Sequence, residues 1–362
     1  TKPALNMSSS IEKKNNISRC GWVSPSNIAL VKYWGKYGNQ LPKNPSVSFT
    51  LSTAATTTYV NLGDAHNTGV AKISFTFDGK ENKAFQTRLE KFLNQIGPEH
   101  LPFVLQYHLQ IESSNSFPHS SGIASSASSM SALALCLCDL AYQMDGLEIY
   151  DDAFFRKVSI LSRLGSGSAC RSVFDSMAVW GKHDDISGSS DEYAVSVANE
   201  IHPVFKTFRN DILIISANEK SVSSSAGHQL MDGNPFAAAR YAQANNRIST
   251  IMTALKHGDL QSFGKIIEDE ALTLHALMMC SDPSYILMEE GSLSVIKKVK
   301  QFRAETKLPL YFTLDAGPNV HLLYPAEYET EISAFIFDEL SQFCHEGRII
   351  RDKVGNGPNK IL

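Results

Sequence analysis

Two periodicities divide this chain unevenly. Apolar and polar positions alternate through much of the stretch from Cys20 to Phe77, while steps of three and four dominate the later part. The runs 46–51, 57–62 and 71–77 alternate as half-buried strands do, and Asp78-Gly79 after the third marks a tight turn. Residues 84–96 read as a helix and 103–112 as another strand. Within 123–141, Ile123, Ala127, Met130, Leu133, Leu137 and Leu140 recur at helical spacing, and 152–164 predicts a second amphipathic helix. A polar loop covers 184–191. Beyond it come a buried strand at 212–215, helices over 236–256, 259–274 and 292–304, a strand at 310–314 and a last helix over 326–343. Strand clusters followed by helix clusters, without regular βαβ alternation or an internal repeat, predict an α+β fold. A change of domain is placed near 200–210.

Composition narrows the classes without naming a function. The chain has 362 residues, enough for two domains, with 43% hydrophobic and 19% charged residues. A formal charge of −4 argues mildly against nucleic acid as a main partner but leaves room for a basic pocket. No uninterrupted apolar stretch is long enough to span a bilayer, so no membrane partner is expected. Residues 1–16 are polar and lack the apolar centre of a secretory signal, and 1–19 read as a flexible tail. The six cysteines are scattered, and Cys136-Leu137-Cys138 has the wrong spacing for a zinc knuckle. They read as free thiols of a cytoplasmic protein.

Four segments carry candidate chemistry. The Ser/Gly stretch 120–128 runs into a helix, whose unpaired N–H groups and dipole suit a phosphate. Ser125, Ser126 and Ser128 offer hydroxyls to phosphate or Mg²⁺. A Ser-rich capped helix with no ligand accounts for that stretch equally well. Gly165-Ser166-Gly167-Ser168 leads through Cys170 to Arg171, a side chain able to grip a carboxylate or phosphate with two parallel bonds. A Gly-capped helix end with a surface arginine and a buried thiol is the plain alternative. Lys32, Tyr33 and Lys36 sit in a strand-like run, where alternation puts Lys32 and Trp34 on one face and Tyr33 on the other. Such a lysine is more often solvated than catalytic. Asp315 ends an apolar strand and enters Ala-Gly-Pro-Asn, a place for a base, although a lone Asp there is usually a turn former. His275 and His321 are further candidates, and single histidines are usually structural.

In order along the chain, these segments resemble the mevalonate diphosphate decarboxylases of the GHMP kinase superfamily. The family's Asn-Ile-Ala and Lys-Tyr-Trp-Gly-Lys stand at 27–29 and 32–36, and its Leu-Pro-x-Asn-x-Ser-x-Ser-x-Thr-Leu at 41–51. Its phosphate loop stands at 117–128, its Gly-Ser-Gly-Ser-Ala-Cys-Arg-Ser at 165–172 and its Asp-Ala-Gly-Pro-Asn at 315–319. The resemblance implies a two-domain GHMP kinase fold with the active site in the inter-domain cleft, divided as 20–205 and 206–362. It implies ATP and Mg²⁺ as cofactors and mevalonate 5-diphosphate as substrate, converted to isopentenyl diphosphate, ADP, phosphate and CO₂ by a homodimer. By the same resemblance, Asp315 acts on the tertiary hydroxyl, Lys32 offsets charge at the γ-phosphate and Arg171 holds the substrate carboxylate. Asn27, Tyr33, Lys36, Ser166, Ser168, Ser224 and His228 surround the substrate, chiefly its diphosphate. Ser120, Ser121, Gly122, Ser125, Ser126 and Ser128 cradle ATP, with Ser126 the metal contact.

Departures concern the substrate end. Asp175-Ser176 stand where the family usually has Gly-Gly, which would reshape the pocket floor. Ser225 stands where an Arg or Thr is frequent. His228 replaces a methionine and is expected to carry a proton beside the terminal phosphate. A monophosphate decarboxylase, a 3-kinase of the same family and a catalytically silent ATP- or isoprenoid-binding regulator are the alternatives.

Overall fold

The computed structural model describes residues 19–117, 125–147, 149–218 and 222–362. The first half is built on β1 (Arg19–Val31), the short hairpin β2 (Lys36–Tyr37) and β3 (Leu41–Pro42), and the long strand β4 (Ser46–Ala65). β5 (Lys72–Phe77) and β6 (Lys80–Glu81) follow, joined by Asp78-Gly79, both at positive φ as a tight hairpin turn requires. Then come α1 (Lys83–Ile96), β7 (Tyr107–Asn115), α2 (Ser125–Met144), α3 (Asp152–Gly165), β8 (Met177–Trp180) and β9 (Ala194–Ser196). The runs read as separate strands at 46–51 and 57–62 are one continuous β4. Of the stretch read as a strand at 103–112, the first part is a 3-10 turn, Pro102–Leu105, where proline fixes φ for a turn.

The resulting sheet has the order β14-β1-β4-β7-β5-β6, with β14 (Asn359–Lys360) from the far end of the described chain, β8 on β4 and β9 on β8. Its pairings are antiparallel except β5 with β7. One face packs on α1, α2 and α3 through Leu89, Phe92, Met130, Leu133, Phe154 and Leu161. α1 and α3 start where Asn82 and Asp151 side chains accept from N–H groups three residues on.

The second half contains α4 (Pro203–Lys206), β10 (Arg209–Leu213), α5 (Ser224–Gln229), α6 (Ala237–His257), α7 (Leu260–Met279) and α8 (Glu290–Thr306). It continues with β11 (Tyr311–Thr313), β12 (Val320–Tyr324), α9 (Glu329–Phe335), β13 (Ile349–Lys353) and β14 (Asn359–Lys360). The order β11-β12-β10-β13 is antiparallel throughout. Alternation sends Ile212, Tyr311 and Leu323 to one core, and Leu213, Phe312 and Leu322 to another behind α8 and α9. The first of these cores is shared between halves, since Ile28, Val47 and Phe49 of the first sheet meet Ile248, Ile251 and Phe263 of α6 and α7. The helix expected over 326–343 is a succession of 3-10, α and π turns.

The chain end returns to the first sheet. β14 pairs with β1, and Lys360 Nζ reaches Asp139 of α2 at 3.1 Å. Asp139 is buried and also accepts from Trp22, Gln143 and Tyr150. Nearby, Asp352 of β13 is buried and accepts three consecutive N–H groups of β4, from Ser52 at 2.9 Å and from Thr53 and Ala54 at 2.7 Å. Asp352→Ala removes the partner of all three. A loss of about 3 kcal/mol of unfolding free energy or more is expected, read from urea midpoints. A change below about 0.5 kcal/mol, the scale of a neutral surface substitution, would show that water replaces the carboxylate without cost.

Candidate active site

A cavity of about 370 Å³ opens where the halves meet, and five segments reach it. β1 contributes Asn27 and Ala29 and ends at Val31, so Lys32 leaves the sheet with main-chain groups that have no strand partner. Side chains of both halves serve them. Lys32 N–H donates to Glu270 Oε2 at 2.7 Å, and its carbonyl accepts from Asn44 Nδ2 at 2.9 Å and Arg240 Nη2 at 3.0 Å. Arg240 grips both Glu270 oxygens, at 2.6 and 2.7 Å, and Arg247 adds a third contact at 2.6 Å. Burial alone would push the Glu270 carboxyl up, but its two arginines outweigh that and hold it below the usual range.

The Lys32 side chain is 2% exposed and donates to Asp315 Oδ1 at 2.9 Å and to Ala29 O at 2.6 Å. Burial lowers its pKa, and Asp315 opposes that shift. Asp315 lies in the turn between β11 and β12, 31% exposed, with His275 Nε2 3.0 Å from its carbonyl. Asn319 Oδ1 accepts from Ile215 and Ser216 N–H, fixing that turn to the exit of β10. His321 lies behind, buried, its pKa lowered to about 4 by burial.

Arg171 ends the 3-10 turn Gly167–Arg171 and is 2% exposed. It donates to Ser48 Oγ at 2.9 Å, to Ser46 Oγ and more weakly to Asn27 Oδ1. Among the described residues no carboxylate lies within ion-pair distance of it. The plain alternative of a surface arginine is therefore excluded. Cys170 beside it is a buried thiol pushed up to about 12 by burial, so it is no nucleophile.

Lys36, Ser166, Ser168, Ser125, Ser126, Ser224 and Ser225 also line the cavity. Ser166 Oγ donates to Ser126 Oγ at 3.2 Å, joining the Ser/Gly stretch at the start of α2 to the one that leads to Arg171. Ser128 is not part of it. Its hydroxyl is buried inside α2 against Thr56 at 2.7 Å, one turn away from the cavity. Ser120, Ser121 and Gly122 lie outside the described residues. Asp175 does not floor the cavity either, and lines a separate hollow with Arg156 and Tyr193.

His228 corrects two expectations. Tyr33 and Trp34 do not point to opposite sides, because both rings lie against His228, with centroids at 4.2 and 4.5 Å. The turn at Gly35 allows this with φ +96°, and a Cβ there would collide with the Tyr241 hydroxyl. The His228 ring is buried and its Nδ1 accepts the Gly35 N–H at 2.9 Å. Burial, then Lys36, lowers its pKa to about 3, so it is neutral rather than protonated. Sequence reading also missed Arg88, Gln40, Ser216 and Asn218 in the lining, and Glu270 and Arg240 behind Lys32.

Comparison with known proteins decides the family. A model described as the diphosphomevalonate decarboxylase-like N-terminal domain matches residues 24–194. One described as the mevalonate 5-diphosphate decarboxylase C-terminal domain matches 211–360. The chain belongs to the diphosphomevalonate decarboxylase family. Relatives so described include that of Saccharomyces cerevisiae, 31% identical over 333 residues, spanning 87% of this chain and 80% of the relative. That of Bos taurus is 31% identical over 322 residues, spanning 82% and 74%. A solved structure described as MDDEF in complex with MVAPP, AMPPCP and magnesium matches with a TM-score of 0.80 at 30% identity, over 95% of this chain and 99% of that one. Mevalonate diphosphate decarboxylase from Staphylococcus aureus matches at 0.77 and 28% identity, over 95% and 98%. The two-domain α+β fold expected from the sequence, GHMP-kinase-like, is the fold of this diphosphomevalonate decarboxylase family.

Within this family member, His228 has a readable signature. Its folded pKa lies below the unfolded value of about 6.5. Below pH 6.5 or so the unfolded chain takes a proton that the native ring refuses down to about 3. Its contribution to stability is therefore present above the unfolded value and is lost as pH falls. His228→Met is expected to remove about 2 kcal/mol of the stability lost between about pH 7 and pH 5, measured by urea titrations at each pH. Parallel curves for both proteins would mean a protonated or exposed ring.

Proposed function

We propose that the chain catalyses the ATP-dependent decarboxylation of mevalonate 5-diphosphate to isopentenyl diphosphate, with release of ADP, phosphate and CO₂. The observation that carries this reading is Arg171: a buried guanidinium, without a carboxylate partner among the described residues, faces the same cavity as the Lys32–Asp315 pair. A cation held dry in that way needs an anion from the ligand. The activity for which the relatives are named and the MVAPP, AMPPCP and magnesium of the MDDEF structure support the choice of ligands.

A tertiary alcohol leaves poorly, and a phosphate ester of it leaves well. Asp315 orients the 3-hydroxyl and takes its proton as the hydroxyl oxygen bonds to the γ-phosphorus of ATP, whose bond to the β–γ bridging oxygen breaks with its electron pair leaving on ADP. Lys32, 2.9 Å from Asp315, offsets the charge gathering on the phosphoryl oxygens. The C–O bond then breaks with its electron pair on phosphate. The C–C bond to the carboxylate supplies the pair of the new double bond, and CO₂ departs. Arg171 holds that carboxylate until then, aligned by Ser46, Ser48 and Asn27. Tyr33, Lys36, Ser166, Ser168 and Ser224 surround the diphosphate, and His228 positions the turn at Gly35 without bearing charge.

Ser125 and Ser126 take the phosphates of ATP. Bound Mg²⁺ supplies charge neutralisation among phosphate oxygens, with the Ser126 hydroxyl as its protein contact. The donor set fits, because hydroxyl oxygen suits a hard cation that keeps waters and substrate oxygens. Among the described residues no group of three or more His, Cys, Asp or Glu forms a cage for it.

The proposal extends to a division at 205/206, between the last first-half strand of the main sheet, β9, and β10 of the second. It extends to a cytoplasmic homodimer. Six cysteines free of disulfides suit a reducing compartment.

ADP and CO₂ release, followed side by side with mevalonate 5-phosphate and 5-diphosphate, tests the reading. Both products are expected with the diphosphate. ADP without CO₂ would reduce the chain to a 3-kinase, and turnover of the monophosphate alone would reverse the substrate. Asp315→Asn is expected to lower kcat about a thousandfold while ATP still binds. Retention of more than about a tenth of the activity would take Asp315 out of the mechanism.

A further inference from the structure

Helix α7 touches the main chain of both members of the reacting pair. Its Glu270 accepts the Lys32 N–H at 2.7 Å, and its His275 Nε2 lies 3.0 Å from the Asp315 carbonyl oxygen. The two side chains stand five residues apart on α7, a rise of about 7.5 Å along the axis. Leu274, next to His275, lines the cavity. A carbonyl only accepts, so Nε2 of His275 carries the proton of its bond. The ring itself is 1% exposed and is not among the residues lining the cavity.

The turn between β11 and β12 is held at several points. Gly317 N–H donates to the Asp315 carbonyl at 2.8 Å and closes the turn on itself. Ser292 of α8 donates to the Pro318 carbonyl at 2.6 Å, and Asn319 accepts from Ile215 and Ser216. Those last contacts fix positions 318 and 319. The bond from His275 fixes residue 315 itself, whose Oδ1 is 2.9 Å from Lys32 Nζ. One helix thus ties both reacting residues to a common frame.

We infer that His275 is a positioning residue for the reaction: by holding the Asp315 main chain to the helix that also holds Lys32, it sets where the carboxylate meets the substrate hydroxyl. The inference rests on the decarboxylase reading above. A displacement of about 1 Å at such a place can cost a hundredfold in rate.

Kinetics of His275→Gln, His275→Leu and His275→Asn test it, each made alone and together with Asp315→Asn. Glutamine offers an N–H donor near the place of Nε2, leucine fills the space without a donor, and asparagine is too short to reach. His275→Leu and His275→Asn are expected to lower kcat for ADP release about tenfold or more, with KM for both substrates within about twofold. His275→Gln is expected to stay within about threefold of wild type. In the Asp315→Asn background the same changes are expected to cost less than about threefold more, because the group they place is gone. Equal losses in both backgrounds, an unchanged kcat without the donor, or no recovery with glutamine would overturn the inference. So would a His275→Asn protein that does not fold, since the residue would then be structural. CO₂ release is scored separately. ADP without CO₂, with the His275 pattern intact, would sink the decarboxylase reading and leave His275 standing, whereas a wild type that releases neither product would sink both.

Discussion

Everything at the reacting end depends on how the main chain of Lys32 is held after β1 ends. A strand that stops inside a protein leaves an N–H and a C=O to satisfy. Here Glu270 and Arg240 satisfy them from helices α7 and α6, across the line between the halves. The pair is fully buried, and charges so placed stabilise little against an apolar replacement. Their worth lies in direction. The fork of Arg240 and the two oxygens of Glu270 allow few arrangements, so Lys32 enters the cavity along one path. Removing Glu270 would strand the Arg240 charge in a dry site, which costs about 3–5 kcal/mol.

The same constraint explains why Lys32 and Asp315 must be treated together. Burial of an ammonium favours its neutral form, and the carboxylate 2.9 Å away opposes that. His275 and Asn319 anchor the turn that bears Asp315, so its distance from Lys32 is set by the second sheet. Arg171 is held by hydroxyls and an amide instead, which orient it without neutralising it. One cation is thus matched within the protein and the other is left for the ligand.

Much of this was legible in the sequence. Arg171 and Asp315 stand among small residues and turn formers and Lys32 in an apolar run; each alone has a structural reading, their motifs in order along the chain point to one family, and the structure brings all three to one cavity. The fold class followed from strand clusters preceding helix clusters. Other features have no local signature. Glu270 and Arg240 look like ordinary helical charges, and only tertiary packing buries them together. Arg88 sits in an unremarkable amphipathic helix. Ser128 belongs to the same serine run as Ser126, and helical rotation turns its hydroxyl to Thr56. β12 was missed because Val320–Tyr324 is buried on both faces and does not alternate. The protonation of His228 was misjudged because desolvation is a property of the folded environment, not of a residue and its neighbours in sequence.

The closing strand β14 sets a constraint on order in time. β1 precedes every other strand of its sheet, yet its outer edge is covered by Asn359–Lys360, and the N–H groups of Ser52, Thr53 and Ala54 in β4 are held by Asp352. During synthesis the first half therefore waits with an open sheet edge and three unserved N–H groups until β13 and β14 have left the ribosome. Domains commonly fold in sequence as they emerge. This one cannot complete its first sheet before β14, far along the chain, has been made.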